Sequence, residues 1–260
     1  MGIFEAILLG IIQGIAEFLP ISSSGHLALA QQVFGIEEAS LSFDVLLHVG
    51  TLIPVCVIYW KSIWELLRKP FQKMTLFLIV GTIPAVVAAL VLGDAIESLF
   101  SSLLFLAGGF ALTGVVLLIA DKIRPGEKTE RDMTVVDALV IGCAQGVAIA
   151  PSISRSGSTI SASLLRGLNR ETAARFSFLL SIPAILGAAV LELKDVLGGG
   201  VIFEGIPVES LVAGFLAAML SGYLAIQFML KLIQKAKLKV FSVYLFALAV
   251  FVVVWHFWFV

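Results

Sequence analysis

The chain has 260 residues, of which 60% are hydrophobic and 13% charged, and its mean hydropathy is +1.07. One soluble core could not bury so many apolar side chains, so the composition excludes a water-soluble globular domain and indicates a membrane protein. With 17 Lys and Arg against 18 Asp and Glu, the formal net charge is -1, which excludes a basic nucleic-acid surface. The two cysteines, Cys56 and Cys143, lie in apolar runs and indicate neither a disulfide nor a metal site.

The first predicted element is an interrupted apolar helix at residues 3–19. It leads into Pro20 and a loop of serine and glycine, and a short apolar piece follows at Leu27–Phe34. A piece of about nine residues covers only about 13 Å of helix, so it cannot cross a hydrocarbon core of about 30 Å. We therefore predict a re-entrant hairpin, which enters the membrane and returns on the same side.

Full transmembrane helices follow in two groups of three, and a second interrupted helix separates the groups. The first group is predicted at residues 42–60, 74–92 and 99–120. The second interrupted helix, 134–149, leads into Pro151 and the short piece Ile160–Leu165, and the last spans are predicted at residues 176–193, 208–230 and 240–260. The expected fold is an all-α polytopic membrane protein with six transmembrane helices and two re-entrant helix hairpins.

Basic residues mark the cytoplasmic ends of membrane helices, and their distribution supports this topology. Residues 1–60 contain no Lys or Arg, whereas the loops after the first and third spans are basic. If both short elements return to the side from which they enter, every Lys and Arg except Arg155 and Lys194 lies in the cytoplasm. We therefore expect both termini outside, with residues 37 and 203 also outside and residues 69 and 128 inside.

An internal repeat relates the two interrupted elements. Residues 10–25 and 142–157 align without a gap, and half of their positions are identical, at Gly10/Gly142, Gln13/Gln145, Gly14/Gly146, Ala16/Ala148, Ile21/Ile153, Ser22/Ser154, Ser24/Ser156 and Gly25/Gly157. Each repeat is one hairpin plus three spans, so the second repeat begins on the opposite side of the membrane. The predicted architecture is an inverted-topology repeat with residues 1–121 and 133–260 as its halves and 122–132 as a cytoplasmic linker.

The second loop carries chemistry suited to an anion. Arg155 begins a short helix, and the hydroxyls of Ser154, Ser156 and Thr159 lie beside it. A guanidinium, hydroxyls and the free N–H groups of a helix start fit phosphate better than carboxylate. A charge at mid-membrane costs at least about 2.5–3.5 kcal/mol, which makes a purely structural Arg155 the less favoured interpretation.

The first loop carries a nucleophile and a titratable pair. Ser22, Ser23 and Ser24 precede His26 at another helix start, and Glu17 lies one loop away. A hydroxyl and an imidazole within one turn suit nucleophilic catalysis, and the carboxylate suits a metal or the orientation of the histidine. The structural alternative is that the serines only allow close packing and the histidine only bonds a neighbour.

These residues resemble two signatures of the undecaprenyl-diphosphate phosphatases of the bacitracin-resistance family. The first signature is a Glu-or-Gln/x-x-x/Glu pair running into Phe-Leu-Pro-x-Ser-Ser-x-Gly-His, here Gln13 to His26. The second is Pro-Gly-x-Ser-Arg-Ser-x-x-Thr, here "PSISRSGST" at Pro151–Thr159. The chain departs from the family at Ser152, where Gly is usual, and at Gln13, where many members have Glu. The resemblance extends over essentially the whole chain.

The resemblance implies metal-dependent hydrolysis of undecaprenyl diphosphate, which recycles the lipid carrier of peptidoglycan synthesis and confers bacitracin resistance. It further implies a site that opens to the extracytoplasmic side of the bacterial cytoplasmic membrane. The expected partners are the lipid substrate and the bilayer, with a homodimer as one option and no nucleic acid. The expected cofactor is a divalent cation, Mg²⁺ or Ca²⁺, near Glu17.

On this combined basis we predict four catalytic residues, Glu17, Ser23, His26 and Arg155. The residues predicted to bind the diphosphate are Gln13, Ser22, Ser24, Ser154, Ser156 and Thr159. Ser23 attacking with His26 as its base is the preferred mechanism, and attack by His26 itself is the alternative. A transporter or a lipid flippase without hydrolysis remains open as another class of function, because the same architecture serves transport.

Overall fold

The computed structural model describes residues 1–36, 41–124, 126–197, 203, 205–235 and 238–259. Within these residues the chain is helical, as the sequence predicts, and the one β interaction is an isolated bridge between Lys128 and Leu168. The helices are α1 (Ile3–Phe18), α2 (Ser23–Phe34), α3 (Leu41–Ile58), α4 (Trp60–Arg68), α5 (Lys73–Glu97), α6 (Leu103–Lys122), α7 (Val135–Val147), α8 (Arg155–Leu165), α9 (Arg170–Leu197), α10 (Val208–Lys235) and α11 (Lys239–Phe259).

Among the described helices, α5, α6, α9, α10 and α11 are long and apolar enough to cross a membrane. The remaining predicted span, 42–60, corresponds to α3, which bends by 84° into α4. Counting this bent pair as one span raises the number of candidate spans from five to six. By the length and composition of these helices, the chain is a multi-pass membrane protein.

The amphipathic helix α4 is a feature that the sequence analysis did not predict. Trp60 and Trp64 stack with ring centroids 5.8 Å apart, and the guanidinium carbon of Arg68 lies 4.8 Å from the centroid of the Trp64 ring. Aromatic rings beside basic side chains are typical of helices that lie in the membrane interface. The predicted span 42–60 agrees with α3, which ends at Ile58 just before the bend.

Four short helices form two helical hairpins. Helices α1, α2, α7 and α8 contain 16, 12, 13 and 11 residues, so at 1.5 Å per residue none reaches about 30 Å. At the start of α7, Asp137 accepts a hydrogen bond of 2.7 Å from Nε of Arg166, just beyond α8. Ala6 in α1 and Ile36 just after α2 belong to the same buried cluster. The end of α8 therefore lies beside the start of α7, and the end of the first hairpin packs in the same cluster as α1.

Glycines let the first helix of each hairpin lie directly against a long helix. Helix α1 packs on α10, where a Cβ added to Gly10 would lie 2.9 Å from Cβ of Ala217. Helix α7 packs on α5, where a Cβ added to Gly142 would lie 2.5 Å from the carbonyl oxygen of Gly81. Such distances leave no room for a side chain, so backbone contact fixes the position of both hairpins.

Candidate active site

The two serine- and glycine-rich loops at the hairpin tips contact each other. Ser156 Oγ donates a hydrogen bond of 3.0 Å to the carbonyl oxygen of Leu19. A Cβ added to Gly25 would lie 2.7 Å from Cα of Ser152, so the backbones of the two loops touch. The starts of α2 and α8 are thereby brought to one place, although their residues lie far apart in the sequence.

Glu17, at the end of α1, is the centre of this contact. Its side chain is almost fully buried, and its Oε1 accepts a charge-assisted hydrogen bond from Arg155. Its Oε2 accepts a hydrogen bond of 2.6 Å from Ser23 Oγ and one of 3.2 Å from Gln13 Nε2. One carboxylate therefore joins three other residues that were predicted from the sequence, Gln13, Ser23 and Arg155.

Arg155 is held at the site by two acceptors. Its Nη2 donates to Glu17, and its Nη1 donates to the carbonyl oxygen of Ser177 on α9 at 3.2 Å. The side chain is 16% exposed, so the protein does not enclose it completely. A lysine ammonium could not reach two acceptors in the same planar geometry.

The hydroxyls beside Arg155 hold the second loop in shape. Ser154 caps α8 by accepting a hydrogen bond from the Gly157 amide at 3.0 Å. Thr159 is fully buried, donates to the carbonyl oxygen of Arg155 at 2.8 Å and lies 2.7 Å from Ser177 Oγ. Together with the bond from Ser156 to the first loop, these contacts orient Arg155. Direct contact of the three hydroxyls with a diphosphate stays a prediction.

The first loop is built in the same way. Ser22 caps α2 by accepting from the Gly25 amide at 3.4 Å, and its Oγ lies 3.4 Å from Ser24 Oγ. Ser22 has a φ of 72°, in the left-handed region that most side chains avoid. Ser152 in the second loop has a φ of 65°, which gives a physical reason for a glycine at that position.

His26 does not pair with Ser23 in the described part of the chain. Its Nδ1 lies 2.7 Å from the carbonyl oxygen of Ser22, and its Nε2 lies 2.7 Å from the hydroxyl of Tyr244 on α11. The imidazole also stacks on the Tyr244 ring, with centroids 5.7 Å apart. The acceptor beside Ser23 is therefore Glu17, and Tyr244 joins the site without any signal in its apolar sequence context.

His48 is a second site residue that the sequence analysis missed. It lies on α3, and its Nε2 is 3.6 Å from Glu17 Oε2. Its Nδ1 lies 2.7 Å from the carbonyl oxygen of Asp44, one turn earlier. An imidazole within an otherwise apolar predicted span is itself a sign of function, and this signal could have identified His48.

Few side-chain atoms at the site could bind a divalent cation, and most of them are oxygens. Within the described residues, no group of three or more His, Cys, Asp or Glu side chains is placed to hold a metal. However, Oε1 of Gln13 is buried without a hydrogen-bond partner among these residues, while the Nε2 of the same amide bonds Glu17. A carboxylate and an unpaired amide oxygen are ligands that Mg²⁺ and Ca²⁺ accept, so the site fits such an ion.

Two adjacent glycines on α6 test the loop packing. A Cβ on Gly109 would lie 2.6 Å from the carbonyl oxygen of Pro151 and 2.8 Å from Cβ of Ser152, whereas a Cβ on Gly108 would have nothing within 4 Å. We expect Gly109→Ala to lower the free energy of unfolding by about 1–3 kcal/mol through overpacking. Gly108→Ala should leave it unchanged or slightly higher. Thermal unfolding in detergent measures both, and equal midpoints would contradict this packing.

Comparison of the sequence with known proteins identifies relatives of this chain. The family model for the bacitracin resistance protein BacA matches residues 6–251. The chain is 48% identical over 254 residues to an undecaprenyl-diphosphatase of Carboxydothermus hydrogenoformans, an alignment that covers 98% of this chain and 97% of the relative. It is 46% identical over 257 residues to undecaprenyl-diphosphatase 4 of Bacillus thuringiensis subsp. konkukian, with 99% and 98% covered. An undecaprenyl-diphosphatase of Halothermothrix orenii is 43% identical over 256 residues, with 98% of each chain covered. The match over nearly the whole length shows that this chain belongs to the BacA family of bacitracin resistance proteins.

Proposed function

We propose that this chain hydrolyses undecaprenyl diphosphate to undecaprenyl phosphate and inorganic phosphate, which recycles the lipid carrier of cell-wall synthesis and confers bacitracin resistance. The observation that carries the proposal is the Glu17 carboxylate, which joins Ser23 and Arg155 between two helix starts. A hydroxyl, a proton acceptor and an anion clamp in mutual contact are the groups that phosphoryl transfer requires. The names of the relatives, which are undecaprenyl-diphosphatases, support the choice of substrate.

Arg155 binds the diphosphate in this mechanism. A guanidinium has five N–H donors, so Nη1 can stay on the Ser177 carbonyl while the other edge turns from Glu17 to phosphate oxygens. The starts of α2 and α8 add backbone N–H groups and the positive ends of two helix dipoles. The hydroxyls that are predicted to bind the diphosphate donate further hydrogen bonds at the same helix starts. The amide of Gln13 donates one more from its position beside Glu17. The diphosphate of the substrate thus replaces the Glu17 carboxylate as the charged partner of Arg155.

Ser23 is the nucleophile. Its Oγ attacks the terminal phosphorus while its proton passes to Oε2 of Glu17, which already accepts its hydrogen bond at 2.6 Å. The bond from Oγ to phosphorus forms as the bond to the bridging oxygen breaks, and undecaprenyl phosphate leaves with that oxygen. Water then attacks the phosphoserine, inorganic phosphate departs, and Oγ regains a proton. His26 orients Ser22 and Tyr244 and is the alternative nucleophile.

Glu17 and Gln13 would hold the divalent cation, Mg²⁺ or Ca²⁺. When bound, such an ion withdraws charge from phosphate oxygens and favours attack on phosphorus. A carboxylate has about four lone-pair directions, so Glu17 can accept the hydrogen bond of Ser23 and still contribute to an ion. The Gln13 amide, once turned over from its present hydrogen bond to Glu17, would offer Oε1 as the second oxygen donor.

The scaffold of the site is an inverted repeat of two re-entrant hairpins, with halves 1–121 and 133–260. The matched residues Ser22 and Ser154 cap the two tip helices through the matched amides of Gly25 and Gly157, which supports this repeat. The packing of α1 on α10 and of α7 on α5 supports it as well, because each hairpin contacts a helix of the other half. In such repeats the polar tips meet near the bilayer midplane.

Cysteine labelling tests the topology. The site should open to the extracytoplasmic side of the bacterial cytoplasmic membrane, with both termini outside. After Cys56 and Cys143 are replaced by serine, a cysteine at residue 203 should react with an impermeant maleimide in intact cells. A cysteine at residue 69 should react only after permeabilisation, and labelling of residue 69 in intact cells would refute the topology. Residue 37, also predicted outside, lies outside the described residues.

Release of inorganic phosphate separates hydrolysis from the two alternatives. We expect the purified protein to release phosphate from undecaprenyl diphosphate when a divalent cation is supplied and to stop when it is chelated. A transporter or a flippase would move substrate across proteoliposomes without releasing phosphate. Substrate movement with no phosphate release would therefore overturn the proposed reaction.

A further inference from the structure

His48 lies outside both loops and outside both signatures, yet it faces the central carboxylate. Its Nε2 is 3.6 Å from Glu17 Oε2, on the oxygen that also contacts Ser23 and Gln13. The side chain is 26% exposed, so the protein does not enclose the imidazole completely. Neither binding of the diphosphate nor attack on phosphorus uses this imidazole in the mechanism above.

The backbone determines which nitrogen of His48 offers a lone pair. Nδ1 lies 2.7 Å from the Asp44 carbonyl oxygen, and a carbonyl oxygen can only accept a hydrogen bond. Nδ1 therefore carries hydrogen, and in the neutral ring Nε2 presents its lone pair toward Glu17. Metal-binding histidines use this arrangement, with one ring N–H donated to a carbonyl or carboxylate and the other nitrogen bound to the ion.

The spacing of the donors also suits one shared ion. Ligands at about 2.1 Å from a metal stand about 3.0–3.4 Å apart in octahedral or tetrahedral geometry. The separation of 3.6 Å between Nε2 and Oε2 needs little closure to reach that value. A second observation points to a ligand here, since Gln13 is fully buried and its Oε1 has no hydrogen-bond partner among the described residues.

We infer that His48 is a protein ligand of the divalent cation, binding through Nε2 beside Oε2 of Glu17, with the Gln13 amide turned over so that its Oε1, in place of Nε2, faces the ion. The inference rests on the proposed phosphatase function for the role of the ion, but its geometry is independent of the reaction. An imidazole donor shifts preference away from Ca²⁺ and toward Mn²⁺ or Zn²⁺ relative to an all-oxygen site. Three protein ligands leave positions open for water and for phosphate oxygens.

Pulsed EPR with Mn²⁺ as the probe tests the ligand directly. The chain has three histidines, so the source of an imidazole signal can be assigned completely. We expect full-length protein in nanodiscs to show ¹⁴N coupling to bound Mn²⁺, and ¹⁵N-histidine labelling to convert it to ¹⁵N coupling. His48→Gln should abolish the coupling and weaken Mn²⁺ binding at least about tenfold. His26→Gln and His256→Gln should leave the coupling unchanged.

Two results would overturn the inference. One is Mn²⁺ bound to the wild-type protein without histidine nitrogen coupling, which needs no variant to fold. The other is coupling that survives in His48→Gln. Phosphate release by the same wild-type sample with Mn²⁺ is measured in parallel. Absence of hydrolysis would overturn the proposed function, whereas the EPR spectra alone decide whether His48 binds the ion.

Discussion

Arg155→Lys should lower kcat/KM for undecaprenyl diphosphate by about 10²–10³-fold, with a thermal midpoint close to that of the wild type. The guanidinium reaches Glu17 and the Ser177 carbonyl at once, and its fork matches phosphate oxygens in pairs. Lysine keeps the positive charge but offers it from one point, so the pairing with Glu17 can persist while the clamp on the diphosphate is lost. Steady-state phosphate release and thermal unfolding measure the two effects separately.

The exposed Arg131, in the linker between α6 and α7, is the matched control. Arg131→Lys should leave both turnover and unfolding unchanged, because the side chain lies at the surface and belongs to neither loop of the site. Near-wild-type activity of Arg155→Lys would show that a point charge is sufficient and that Arg155 is not a bidentate clamp.

Ser23→Ala should lower turnover at least about 10³-fold and abolish the covalent phosphoenzyme, because the proposed attacking atom is removed. Glu17→Gln should also fail, since an amide can still accept the Ser23 hydrogen bond but cannot take its proton. Quenching a reaction with labelled substrate traps the intermediate. A phosphoserine survives acid and is lost in alkali, whereas a phosphohistidine shows the reverse.

Ser98→Ala, at an exposed serine near the end of α5, is the control and should retain full turnover. Acid-labile, alkali-stable phosphate on Ser23→Ala would contradict the serine mechanism and make His26 the nucleophile. His26 would then have to release Nε2 from the Tyr244 hydroxyl, or Nδ1 from the Ser22 carbonyl, before it could attack.

The local sequence pattern was sufficient to predict the helices and the site residues of the two loops, but not His48 or Tyr244. Long apolar runs without charge predict membrane helices because backbone groups in hydrocarbon must bond within their own segment. Pro20 and Pro151 interrupt the short elements for a local steric reason, and both breaks occur in the structure. Helix α4 was missed, because the bend that separates it from α3 and the stacking of Trp60 on Trp64 are visible only in the structure.

The sequence by itself determined an all-helical membrane protein and the residues of two polar loops, because burial of apolar area and interruption by proline are local properties. Only the tertiary structure decided the partners within the site. Glu17 accepts a hydrogen bond from Arg155, which lies in the other half of the chain, and His48 on α3 lies beside the same carboxylate. His26 contacts Tyr244 on α11 instead of Ser23. These pairings depend on helices packed through backbone contacts at glycines such as Gly10 and Gly142, and the spacing of glycines along one helix does not specify which other helix it contacts.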